Sequence, residues 1–159
     1  MTQRIDFMKV APSAFRAVMG VSNYVTQSGL EPGLFELVKL RASYINGCAF
    51  CLDMHSKDAR AAGETEQRIY SLPVWRETPY YSARERAALV WTEAVTELGR
   101  EGVSDDIFEY VRSQFSEDEV VKLTMAVVVI NMWNRLVISM GADVGSYQPA
   151  HHAPSATAA

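Results

Sequence analysis

The chain has 159 residues, 48% of them hydrophobic and 21% charged, with a formal net charge of −4 from 15 basic and 19 acidic side chains. Such a length makes one globular domain with a sizeable core, and such a composition excludes general disorder. The acidic balance excludes a basic footprint for nucleic acid, leaving small-molecule chemistry or protein association.

In chain order, Pro12-Ser13 opens a helix that runs through Gln27, with Phe15, Val18, Met19 and Val25 at helical spacing and Ser28-Gly29 behind it. Glu31-Pro32-Gly33 turns into a second helix over Leu34–Ile45. Asn46-Gly47 breaks that helix, and Cys48 begins a third that reaches Ala62 and stops at Gly63. A short helical piece over Thr65–Ser71 leads to an irregular loop holding Pro73, Trp75, Pro79, Tyr80 and Tyr81. Ser82-Ala83-Arg84-Glu85 reads as a capping box, and the helix behind it carries Ala87, Ala88, Trp91, Ala94, Val95 and Leu98 on one stripe.

Ser104-Asp105-Asp106 caps a helix to about Gln114, and a second capping box, Ser116 to Glu119, starts the last helix, which ends at Met140-Gly141. This last helix is apolar on most of its circumference, which predicts burial on all sides, in a core or between subunits. The expected fold is all-α, with one helical domain over residues 1–147 and an unstructured tail over 148–159. His151-His152 in that tail is a poor metal site, because ligand sets need more partners. The N-terminus has no apolar stretch of the signal-peptide kind, and the longest apolar run, Met125–Ile130, is too short to span a membrane. A reducing cytoplasm and no membrane association are expected.

Both cysteines and the one histidine outside the tail fall between Cys48 and His55. At about 100° per residue, Cys51 sits roughly 60° and His55 roughly 20° from Cys48 on the helical wheel, so the three share a face. Asn46 and Gly47 put Cys48 in the first turn of its helix, where unpaired N–H groups and the dipole favour a thiolate. Cysteines at i and i+3 can close a disulfide, and His55 can accept the Cys51 proton. Two other readings compete: cysteines as small buried hydrophobes, and a zinc-like CxxC-plus-His set, which is short of ligands.

Glu36, eleven residues, Cys48, two residues, Cys51, three residues and His55 together form a pattern that resembles the alkylhydroperoxidase D (AhpD)-like branch of the carboxymuconolactone decarboxylase superfamily. The flanking stretches Leu37–Ser43 and Ala59–Gly63 are also similar. The resemblance implies a thiol-dependent peroxidase for small organic (alkyl) hydroperoxides. Cys51 would attack the peroxide, Cys48 would resolve it, His55 would relay the proton, and Glu36 would polarise His55 or take the proton onward. It further implies a homotrimer or homohexamer, reduction by a dithiol or lipoyl-type protein, and no metal or organic cofactor.

On spacing alone, Glu36 with Lys39 three residues on reads as a solvated surface pair. Where members of that branch often carry histidine before the second cysteine, this chain has Phe50, which makes the thiol surroundings more apolar and opposes thiolate formation. Trp75, Tyr80, Tyr81 and Trp91 are candidates for an alkyl-binding pocket or for the core. The alternatives are a non-peroxidatic dithiol redox sensor or oligomeric interaction protein, suggested by the apolar last helix, and a lactone decarboxylase, which needs no CxxC pair.

Overall fold

The computed structural model describes residues 3–149 as an all-helical domain; the His151-His152 pair lies outside the described residues. The helices are α1 (Phe7–Val10), α2 (Pro12–Thr26), α3 (Pro32–Asn46), α4 (Ala49–Ala61), α5 (Glu66–Ser71), α6 (Ala83–Thr96), α7 (Asp105–Arg112) and α8 (Glu117–Met140). Among the described residues there is no strand.

Local chemistry sets most boundaries. Pro12 and Pro32 occupy the first turns of α2 and α3, where a missing N–H costs nothing. Ser82 with Glu85 and Ser116 with Glu119 form both expected capping boxes, and Ser104 caps α7. The stretch after α5 departs from expectation: Leu72–Glu77 is a 3-10 helix rather than an irregular loop, with Leu72 and Trp75 buried beneath it. A further four-residue helix, α1, precedes α2, and Leu98 lies beyond the end of α6, off the stripe, and is exposed.

Helix α3 is central, packing against α4, α6 and α8, while α2 and α6 also lie on α8. One core cluster joins α2, α3, α6, α7 and α8 through residues such as Val38, Ala88, Val111, Leu123 and Val127. A second gathers Leu37 and Leu40 of α3 with Leu72, Trp75 and Leu89. Helix α8 is 24 residues long with a mean hydropathy of 1.5 over its most apolar window, long and apolar enough to cross a membrane. Its buried residues nevertheless build the core of this domain. Within the single chain Val121, Val128 and Ile138 of this helix remain exposed.

A polar seam crosses this interior. Asn46 Nδ2 donates to Asn134 Oδ1 at 2.8 Å and to Asn131 Oδ1 at 3.0 Å, and Asn134 Nδ2 donates to Ser43 Oγ at 3.1 Å. With Asn134 fully buried, these bonds hold the C-terminal end of α3 against α8. The next two residues in the chain are Gly47 and Cys48.

Candidate functional site

The turn between α3 and α4 consists of these two residues. Gly47 adopts φ 68° and ψ 34°, a left-handed conformation that glycine adopts without the Cβ penalty. The Gly47 N–H donates to the Tyr44 carbonyl at 3.3 Å and the Cys48 N–H to the Ser43 carbonyl at 3.0 Å, the bond pattern of a Schellman motif. This sharp stop makes Cys48 the N-cap of α4 rather than a residue of its first turn. Cys51 then stands at the third helical position. In a capping box the N-cap and third-position side chains each reach the other residue's backbone N–H; here both positions hold cysteines, joined as a disulfide with a Cα–Cα distance of 5.3 Å. Both cysteines are almost wholly buried, packed on Val137 with Phe50 and Ala142 alongside.

The two cysteines are not equivalent. A cavity of about 500 Å³ opens beside the pair, and Cys51 lines it while Cys48 does not. His55, one turn after Cys51, lines it too, as do Phe50 and Met54. The far walls are Phe35 and Lys39 of α3, Phe15 and Met19 of α2, and Ile130, Trp133 and Val137 of α8, with Ile5, Phe7 and Met8 of the N-terminal segment closing over them. Phe7, Phe15 and Trp133 form an aromatic cluster with ring centroids 5.8–6.5 Å apart. The Arg4 N–H donates to the Met140 carbonyl at 2.8 Å and ties the N-terminal segment to the end of α8. The Trp133 indole N–H is satisfied by Ser22 Oγ at 2.8 Å, so the wall is apolar with few free polar groups.

The four aromatics proposed from sequence lie elsewhere. Trp75 and Tyr81 are buried in the second core cluster with Tyr80 against it, and Trp91 is buried in the first. The rings that do line the cavity were missed because helical periodicity gives a face, not the identity of what that face meets.

Glu36 reaches the site from α3. It is no solvated surface pair: its Oε1 is bonded by Lys39 Nζ, both side chains being largely shielded, and its Oε2 stands 3.6 Å from His55 Nδ1. Among the described residues neither Glu36 Oε2 nor His55 Nδ1 has a hydrogen-bond partner, though both are buried. At 3.6 Å they fall just outside a hydrogen bond, and a few tenths of an ångström of closure would pair them. Asp58 Oδ2 lies 4.0 Å from the same nitrogen. With Nδ1 turned to the carboxylates, Nε2 is the nitrogen left for the thiol.

Burial pushes the Glu36 carboxyl up, but His55 and Lys39 outweigh it and hold it below its ordinary value. Burial pushes His55 below its ordinary value, and the Glu36 and Asp58 carboxylates only partly offset this. The consequence at neutral pH is a neutral imidazole beside an ionised carboxylate, an arrangement able to accept a proton. Among the described residues no group of three or more histidine, cysteine and acidic side chains is gathered as metal ligands would be.

The profile of the carboxymuconolactone decarboxylase family matches residues 12–94. The chain is 43% identical over 141 residues to YdfG, an uncharacterized protein of Bacillus subtilis (strain 168), covering 89% of this chain and 96% of that one. A crystal structure from Agrobacterium tumefaciens, of a protein of unknown function for which an AhpD antioxidant-defence role has been suggested, superposes with a TM-score of 0.86 at 48% identity. That match covers 94% of this chain and 99% of the other. Over 47 residues the chain is 43% identical to the alkyl hydroperoxide reductase AhpD of Hyphomonas neptunium, a stretch covering 30% of this chain and 26% of that protein.

Proposed function

We propose a thiol-dependent peroxidase for organic hydroperoxides, from the premise that this chain belongs to the carboxymuconolactone decarboxylase family, on its AhpD-like branch. The single observation that carries the reading is the asymmetry of the cysteine pair: Cys51 lines an apolar cavity beside His55, while Cys48, bonded to it, lies behind. A cavity of about 500 Å³ has room for an alkyl or aryl group as well as the peroxide oxygens.

In the dithiol form, Cys51 gives its proton to His55 Nε2 and its thiolate sulfur attacks the terminal peroxide oxygen. The O–O bond breaks, the imidazolium returns the proton to the leaving alkoxide, and an alcohol departs, leaving Cys51 as a sulfenic acid. The Cys48 thiol then attacks that sulfur, forming the disulfide and releasing water. A dithiol or lipoyl-type protein supplies two electrons and two protons to restore both thiols. Glu36 holds Nδ1 and stabilises the transient imidazolium. No step calls on a metal or organic cofactor. The domain acts as residues 1–147, with 148–159 as a tail, in a cytoplasmic homotrimer or homohexamer.

The decisive variants are Cys51→Ser, which reduces hydroperoxide consumption under a dithiol reductant to background, and Cys48→Ser, which, reduced and then freed of reductant, consumes one equivalent and stops at a sulfenic acid detectable by a selective trap. Wild-type consumption by Cys51→Ser would refute the reading. A second reading, a dithiol redox sensor or oligomeric interaction protein, draws on the exposed Val121, Val128 and Ile138 of α8. Disulfide formation that changes self-association without catalytic turnover would favour it.

A further inference from the structure

Asp58 and Tyr147 take part in none of these steps, yet both converge on His55. Asp58 lies on α4 one turn beyond the histidine, its Oδ2 4.0 Å from His55 Nδ1. Its Oδ1 accepts the Tyr147 hydroxyl at 2.6 Å. Tyr147 belongs to the segment after α8, and its carbonyl accepts Lys57 Nζ at 2.9 Å. Lys57 is itself paired with Asp53 at 2.9 Å. One residue of this segment is therefore fastened to α4 by both its backbone and its side chain.

The arrangement mirrors that of Glu36. There, Lys39 holds Oε1 and Oε2 faces Nδ1 from α3; here, Tyr147 holds Oδ1 and Oδ2 faces the same nitrogen from α4. Each carboxylate engages one oxygen with a donor and turns the other to a buried imidazole nitrogen that has no partner. A buried N–H without an acceptor is costly, and two acceptors within reach make its donation secure through small movements of either helix.

We infer that Asp58, anchored by Tyr147, is a second positioning residue for His55, through which the segment after α8 sets the tautomer and orientation of the imidazole. The inference deepens the peroxidase reading and rests on His55 Nε2 as the acceptor of the Cys51 proton. With Nδ1–H donated to either carboxylate, the Nε2 lone pair is the one presented to the thiol. Asp58 gains and loses no proton in the cycle. The charged and titratable groups around His55 are Glu36 and Lys39 from α3, Cys51 and Asp58 from α4, and Tyr147 from the following segment, with Asp143 on the same cavity wall.

The test uses the full chain, oxidised and reduced, with nitrogen NMR of the imidazole assigned by its loss in His55→Gln. Asp58→Asn removes a charge that stabilises the imidazolium, so the His55 titration midpoint falls and the Nδ1–H tautomer loses population. Tyr147→Phe shifts the tautomer the same way by less. Single-turnover oxidation of the reduced protein by cumene hydroperoxide slows about three- to tenfold in Asp58→Asn, at unchanged thermal stability. Unchanged tautomer and midpoint in both variants, while Glu36→Gln moves them, would overturn the inference. If the NMR shifts occur in a protein that consumes no hydroperoxide, the positioning role stands and the peroxidase reading falls.

Discussion

Two largely buried carboxylates in this domain, Glu93 and Glu36, meet opposite fates. Glu93 on α6 is saturated: Trp75 Nε1 donates to Oε1 at 2.8 Å, Arg41 Nε does so at 2.8 Å, and Arg76 bonds both oxygens. Glu36, on the same helix as Arg41, has one oxygen engaged by Lys39 and the other facing an unpartnered histidine nitrogen. A saturated buried charge is a structural tie between elements. A buried charge left one bond short beside a titratable ring is poised to respond when a proton moves.

The comparison can be broken most forcefully by removing each carboxylate in turn. Glu93→Ala leaves two guanidinium groups and an indole N–H without their acceptor and costs about 3–5 kcal/mol in denaturant unfolding. The folded fraction should still react with hydroperoxide at the native rate. Glu36→Gln should do the reverse, with a much smaller stability loss and a single-turnover oxidation rate lower by on the order of 10²-fold. Equal stability losses with equal rates would erase the distinction.

A pH series sharpens it. His55 acts as a base only when neutral, and its folded-state value is depressed, so the acid limb of the rate falls below the ordinary imidazole value of 6.5. Glu36 favours the imidazolium, so Glu36→Gln moves that limb still lower while reducing the plateau. A limb moving upward in the variant would contradict the assigned contact. Glu93 variants should leave the limb in place.

The smallest effect concerns the turn that aligns the site. Gly47→Ala meets open space but forces a Cβ into a left-handed conformation, a cost of about 1–2 kcal/mol readable as a lowered melting temperature. Alanine with native stability would mean that the turn relaxes without loss.

How far the sequence went follows the same division between local and tertiary causes. Capping boxes at Ser82/Glu85 and Ser116/Glu119 are written in adjacent residues, and both formed as read. Cys51 and His55 stand one turn apart on α4, so their shared face follows from helical pitch, whereas Cys48, the N-cap outside the helix, is brought to Cys51 by the turn at Gly47 and does not share the cavity face. Glu36 reached the site only through its resemblance to a known pattern, because a residue on another helix has no local signature of what it faces. The cavity walls failed for that reason: Trp133 and Phe7 are more than 120 residues apart and meet through packing. The 3-10 helix at Leu72–Glu77 escaped because Pro73 read as a breaker, whereas it fits an N-terminal position. Asp58 and Tyr147, 89 residues apart, gave no sequence signal at all.

The most direct test of the central claim is a thiol count on the reduced protein before and after one equivalent of cumene hydroperoxide. The account predicts that two thiols per chain disappear as one equivalent of cumyl alcohol forms, and that a dithiol restores both. Two thiols that survive while the peroxide is consumed, or that are lost without alcohol being formed, would contradict it.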